Sequence, residues 1–185
     1  IFIRSKAAMR VYLIVFIVNY EGIRKSRALA VWSHMNEYLE LDLLTLKSIS
    51  EDAGRPIDEF AYLSSLENAA SDGLLFECRD EYVLRGYFTL RELSPTRWFV
   101  PMFVVHPEHR NRAVFMSLFA QLARFLNSNN VEILISNVLR NNRLSINFHQ
   151  RLGFEVTREN DLGYEFQLML TDSVRKRWSH LEKYC

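Results

Sequence analysis

Residues 98–105 read WFVPMFVV, a β-branched and aromatic run that ends abruptly at His106 and Pro107. The chain then passes through His109, Arg110, Asn111 and Arg112 into a segment, 113–127, whose Val114, Leu118, Phe119, Leu122, Phe125 and Leu126 share one broad face at helical spacing. A buried strand feeding a helix through so short a turn confines the chain to a fold that combines sheet and helix. The turn also has a chemical meaning. A helix start carries N–H groups without an intrahelical acceptor, and its dipole favours negative charge. Three side chains that are cationic or can become so crowd that position against the dipole, which calls for a compensating anion. The junction points to a ligand carrying phosphates, with a solvated turn as the simpler alternative for Arg110 and Arg112.

The remaining elements fall around this junction. An apolar run, 11–18 (VYLIVFIV), predicts a first strand, with 1–4 as the alternative. Helical spacing of Ala28, Val31, Trp32, Met35 and Leu39 predicts a helix over 23–46, and Gly54-Arg55-Pro56 breaks the chain before a second helix at 57–70. Strands follow at 74–78 and 82–93, joined by a hairpin at Arg79-Asp80-Glu81, and then comes the strand at 98–105. After the helix at 113–127 a strand is expected at 131–138, a helix at 142–152 capped by Gly153, and strands at 154–157 and 164–170. The order gives a mixed α/β (α+β) sheet of six to seven strands flanked by helices. Pro101 donates no ladder hydrogen bond, which suits a bulge or a point where strands part.

At 185 residues the chain reads as one domain, 1–185, able to bury roughly two-thirds of its unfolded surface. A formal charge of +1 provides no field for nucleic-acid binding. The apolar run at 11–18 is too short to span a bilayer and has no cleavage pattern after it, so neither membrane insertion nor a leader is expected. Cys78 and Cys185 match no metal or redox spacing, and a reduced cytoplasmic setting is expected. Val174, Trp178, Leu181 and Tyr184 predict a C-terminal helix within 171–185 that packs on its own domain or on a second subunit. The basic run Arg175-Lys176-Arg177 reads as its solvated face.

Two motifs add a family resemblance. Val105, Pro107 and Arg110 occupy their places in V-x-P-x-x-R-x-x-G-x-G/A, and Asn142, Ser145, Gly153 and Phe154 fit N-x-x-A-x-x-x-Y-x-x-x-G-F, read here as NRLSINFHQRLGF. Over residues 74–170 the chain resembles the GCN5-related N-acetyltransferase (GNAT) superfamily. That resemblance implies a mostly antiparallel central sheet that splays, with acceptor-side elements in 1–73, an acyl-CoA-binding core in 74–170 and a C-terminal helix beyond. It implies N-acyl transfer from acetyl-CoA or another acyl-CoA to a small-molecule or peptide amine, with no metal. Arg110, Asn111, Arg112 and the amides of Ala113, Val114 and Phe115 would hold the phosphates, and the amides of Val104 and Val105 the pantetheine arm. Asn142 and Ser145 would also touch the cofactor, Asn142 being equally suited to cap its helix. Asn137 is a weaker candidate for lining the acyl gap.

Three positions depart from the pattern. Ala113 and Phe115 replace small residues, and Phe115 either obstructs the phosphate cradle or packs into the core. His149 stands where a tyrosine often protonates the departing thiolate; imidazole can do the same near neutral pH, or can serve structure alone. Pro101 and Met102 occupy the usual acidic neighbourhood, which leaves Glu92 and His106 as candidate bases, against a solvated strand end and a turn residue. Glu37, Glu40, Asp42, Glu51 and Asp52 can attract a cationic amine or simply line solvated helix faces. Two further readings stay open. One is a long-chain N-acyltransferase fed by acyl carrier protein, which Phe115 and thirteen phenylalanines would suit. The other is a non-catalytic domain that binds a ligand or partner. A homodimer is also compatible.

Overall fold

The computed structural model describes residues 22–179. The chain divides into two compact units, 1–34 and 35–185. Of the first only helical backbone from Gly22 onward is described, and the strand expected at 1–4 or 11–18 lies outside the described residues. The elements are α1 (Gly22–Asp52), α2 (Glu59–Ser71), β1 (Leu75–Asp80), β2 (Val83–Ser94), β3 (Arg97–Val105), a 3-10 turn (Pro107–His109), α3 (Arg112–Ser128), β4 (Ile133–Leu139), α4 (Arg143–Leu152), β5 (Glu155–Glu159), β6 (Gly163–Met169) and α5 (Asp172–Ser179). Helix α1 runs six residues past its expected end, because no breaker intervenes before Gly54 at φ +69°.

Six strands form one open sheet in the order β1-β2-β3-β4-β6-β5. Every neighbouring pair is antiparallel except β3 with β4. The sheet is therefore mixed and mostly antiparallel, flanked by five helices among the described residues. Polar caps set where three of those helices start: Asp58 accepts from the Ala61 N–H, Asn111 from Val114 and Asn142 from Ser145. Gly153 ends α4 at φ +93°, a conformation that a side chain would strain.

Two cores cover the two faces. Met35, Tyr38, Leu39 and Leu41 of α1 and Leu66 of α2 pack with Tyr87 and Val104. Val114, Leu118 and Leu122 of α3 and Trp178 of α5 pack with Phe88, Leu134 and Phe166 on the other side. The C-terminal stripe thus packs on its own domain through Trp178, whose ring meets Phe119 edge-on at 5.8 Å. Leu181 and Tyr184 lie outside the described residues.

Strand β3 contributes to both cores, and the way it does so matters. Trp98 and Val100 belong to the α3-side core, yet so do Phe103 and Val105, while Val104 belongs to the α1-side core. Side chains of a regular strand alternate, so an even-numbered pair and an odd-numbered pair share a face only if one residue is inserted between them. The β2–β3 register shifts between Thr89 and Arg91, which places that bulge opposite, at Val100–Met102, with Pro101 at its centre.

Candidate active site

Strands β3 and β4 run parallel from Arg97↔Ile133 to Val100↔Ser136, and pairing stops there. Pro101 follows, with no N–H to offer, and beyond it the two strands part. Which backbone groups face the gap follows from their other neighbours. The His106 N–H donates to the Arg85 carbonyl, so pairs in that phase, Tyr87 with Val104 and Thr89 with Met102, turn their N–H and C=O groups toward β2. Phe103 and Val105 point theirs into the gap. Across it, the Arg140 N–H donating to the Leu162 carbonyl sets the phase of β4 against β6 and turns the backbone of Asn137 and Leu139 toward the opening. Of the two strand amides expected to line the gap, Val105 does and Val104 does not, while Phe103 was missed. Alternation along the strand decides this, and sequence alone does not give its phase.

At the end of β3 the chain makes its turn. The His106 imidazole Nδ1 accepts from the Glu108 N–H at 3.3 Å, and its ring lies 5.1 Å from that of His109. Arg110 and Arg112 are exposed, and Arg110 Nε reaches the Val105 carbonyl at 3.4 Å. At the start of α3 the Val114 N–H is taken by Asn111 Oδ1 at 3.1 Å and the Phe115 N–H by the Asn111 carbonyl at 3.3 Å. The free amides are therefore those of Arg112 and Ala113, one residue earlier than expected. The Phe115 ring lies 5.6 Å from Phe148 of α4 and 6.4 Å from Phe103, so it joins an aromatic cluster at the edge of the core.

Helix α4 packs beside this turn through Phe148. Asn142 caps it through Oδ1, leaving Nδ2 as its remaining polar group, and Ser145 Oγ lies 3.4 Å from His149 Nδ1. That nitrogen lies 2.8 Å from the Ser145 carbonyl, which can only accept, so Nδ1 carries the proton. Burial lowers the His149 pKa, partly offset by the same carbonyl. The imidazole, packed against Phe154 and Phe166 at 5.0 Å each, is thus neutral near pH 7 and presents a bare Nε2. The residue expected to give a proton offers an acceptor. Glu92 is not brought to the site either: it is exposed and pairs with Trp98 near the hairpin turn, about 20 Å along the strand from Val105.

On the α1–α2 side two clefts flank the parting strands. A larger one, about 730 Å³, is lined by Arg55, Asp58 and Tyr62 on one side and by Asn137, Tyr164 and Glu165 on the other. A smaller one, about 280 Å³, is lined by Asp42, Tyr62, Ser65, Thr89, Pro101 and Met102, and Tyr62 borders both. Asp42 is wholly buried. Its Oδ1 accepts from the Tyr87 hydroxyl at 2.5 Å, and its Oδ2 has no partner. Burial raises its pKa to about 7, against the opposing effect of the Tyr87 hydrogen bond. This overturns the solvated-face reading for Asp42. Glu37, by contrast, faces outward enough to pair with Arg79 at 2.7 Å. The signal for Asp42 was its position: 35, 38 and 42 continue the apolar stripe of α1, so a carboxylate there had to be buried. Among the described residues no group of three or more His, Cys, Asp or Glu side chains is placed to hold a metal, and no helix is long and apolar enough to cross a membrane.

Residues 42–168 match the family model described as acetyltransferase (GNAT) domain. No curated protein sequence matches the chain. Solved structures share its fold. The PaiA N-acetyltransferase of Thermoplasma acidophilum, in complex with coenzyme A, superposes with a TM-score of 0.60 at 14% identity, over 74% of this chain and 93% of that one. YncA of Salmonella typhimurium, a putative acetyltransferase with its cofactor acetyl-CoA, gives 0.54 at 20% identity, over 76% and 88%. The ribosomal-protein-alanine N-acetyltransferase of Brucella melitensis gives 0.54 at 20%, over 76% and 94%.

Proposed function

The chain belongs to the GNAT acetyltransferase family, and from that premise we propose that it transfers an acetyl group from acetyl-CoA to a primary amine by direct attack of the nitrogen on the thioester. The observation that carries this reading is the parting of β3 and β4 at Pro101, with the backbone of Phe103 and the N–H of Val105 on the open edge that leads to the start of α3. An extended, amide-bearing arm can add to such an edge as a further strand would. The unpaired N–H groups of Arg112 and Ala113, with the Arg110 and Arg112 side chains, supply the anion site at its end. Phe115 leaves that site clear because its ring is taken up by Phe148 and Phe103. Asn142 and Ser145 act first as helix cap and capped residue, with Asn142 Nδ2 and Ser145 Oγ as the atoms open to a ligand. The chain's contribution to rate is largely positional: thioester and amine meet in the gap from opposite faces of the sheet. A reducing compartment, the cytoplasm, fits the free thiol of Cys78, half-buried against the core.

Calorimetric titration with acetyl-CoA, 3′-dephospho-CoA and pantetheine tests the reading. Micromolar binding of acetyl-CoA that weakens roughly tenfold in Arg110→Ala is the expected result. Binding of no coenzyme A species by the folded protein overturns it and leaves a carrier-protein donor or a non-catalytic domain.

A further inference from the structure

The acyl-transfer reading leaves one chemical requirement without a residue. A primary ammonium must lose a proton before its nitrogen can attack, and neither sequence-derived candidate stands ready: Glu92 is remote, and His106 is engaged in its turn through Nδ1. The smaller cleft holds a carboxyl group that nothing else in the fold explains. Asp42 reaches it from α1, with Pro101 and Met102, the residues at which β3 leaves β4, on its opposite wall. A buried carboxyl oxygen without a donor is costly unless something is meant to occupy it; Oδ2 is such an atom, and its residue lines a cleft with room for a ligand.

Resting on that reading, we propose that Asp42 is the catalytic base, its Oδ2 receiving a proton from a slim primary alkylammonium bound in the 280 Å³ cleft. The apolar walls, Leu66, Phe99 and Met102, suit an alkyl chain, and the single carboxylate suits one cationic end. The ammonium gives one proton to Oδ2 and becomes the free amine. Its lone pair attacks the thioester carbonyl, forming the C–N bond. As the tetrahedral adduct collapses the C–S bond breaks, the thiolate leaves with the bonding pair, and the second N–H proton passes to it through solvent. Asp42 then returns its proton to water. Its pKa of about 7 suits a base that must both take and release a proton near neutrality. The other titratable groups facing it are Tyr38 on its own helix, Tyr62 on α2 and Tyr87 on β2. All three are raised by burial and stay protonated through this range, so Asp42 is the group that titrates. Glu77 on β1 is bound to Tyr38 and Arg79 and does not compete.

The test is carbon NMR of the full chain labelled at aspartate carboxyls, with the Asp42 signal assigned by its loss in Asp42→Asn. Adding n-butylamine near neutral pH is expected to shift that signal and lower its titration midpoint, corresponding to a roughly tenfold weaker hold on the proton; 1-butanol, uncharged and of the same size, does neither. Ser65→Trp, which plugs the cleft from the exposed side of α2, abolishes the response and also serves if Asp42→Asn fails to fold. With butylamine as acceptor, Asp42→Asn lowers kcat/KM by about a hundredfold or more while acetyl-CoA affinity holds. An Asp42 signal indifferent to butylamine, or equally moved by butanol, overturns the proposal. Acetyl-CoA calorimetry on the same samples separates the two readings: binding with an indifferent Asp42 rejects this inference alone, and an Asp42 response without binding rejects the donor alone.

Discussion

Asp42 is the one carboxyl among the described residues that is wholly buried. The folded-state pKa of Asp42, about 7, lies above its ordinary 3.8, so ionising it works against the folded state. The cost is absent below about pH 4 and complete above about pH 7. Asp42→Asn removes that cost and keeps an acceptor for the Tyr87 hydroxyl. Urea unfolding is therefore expected to find the stability gap between variant and parent widening in the variant's favour by roughly 2–3 kcal/mol between pH 5 and pH 8. A gap that stays constant with pH would mean that the carboxyl titrates normally. Asp42 also marks a limit of sequence reading. An acidic residue on a helix is ordinarily solvated, and only its place in the Met35–Tyr38–Leu39 stripe betrays it. His149 marks another. Its position in NRLSINFHQRLGF was readable, but the tautomer that makes it an acceptor depends on the Ser145 carbonyl 2.8 Å away, a consequence of helix geometry that residue identity does not carry.

Elements were more legible than sites, because periodicity and caps are local. The strand at Arg97–Val105, helix α3 and helix α4 with its Gly153 cap all follow from spacing and from turn residues. The backbone phase of β3 was not legible: it depends on pairing with β2, a long-range fact, which turns the backbone of Val104 toward β2 and that of Phe103 and Val105 away from it. The same holds at the start of α3, where Asn111 was read as a phosphate contact and is seen capping the helix. Asn111→Ala is expected to lower stability by about 1 kcal/mol. Since the cap occupies the Val114 N–H, the same change leaves acetyl-CoA affinity equal or better in calorimetry. A substantial loss of affinity would place the Asn111 side chain on the ligand instead.

For the molecule as a whole, the two faces of the sheet carry different tasks. The α3 side holds the larger core and continues into α5; the α1–α2 side holds both clefts. Helix α5 is part of that core, since Trp178 is buried and Arg175 donates to the Leu170 and Val131 carbonyls. Trp178→Ala should cost about 3–5 kcal/mol by chemical denaturation; a loss under about 1 kcal/mol would mean that α5 is an appendage. The bulge at Pro101 ties the two faces together, and it works like a frameshift. Upstream of it even-numbered residues of β3 face α3; downstream odd-numbered ones do. Losing or gaining one residue anywhere in this strand would exchange the partners of every side chain beyond that point, sending Phe103 and Val105 toward the clefts and Met102 and Val104 toward α3. Substitutions in β3 are graded in their effect, whereas changes in its length are all-or-none. The strand's residue count is itself a part of the active site.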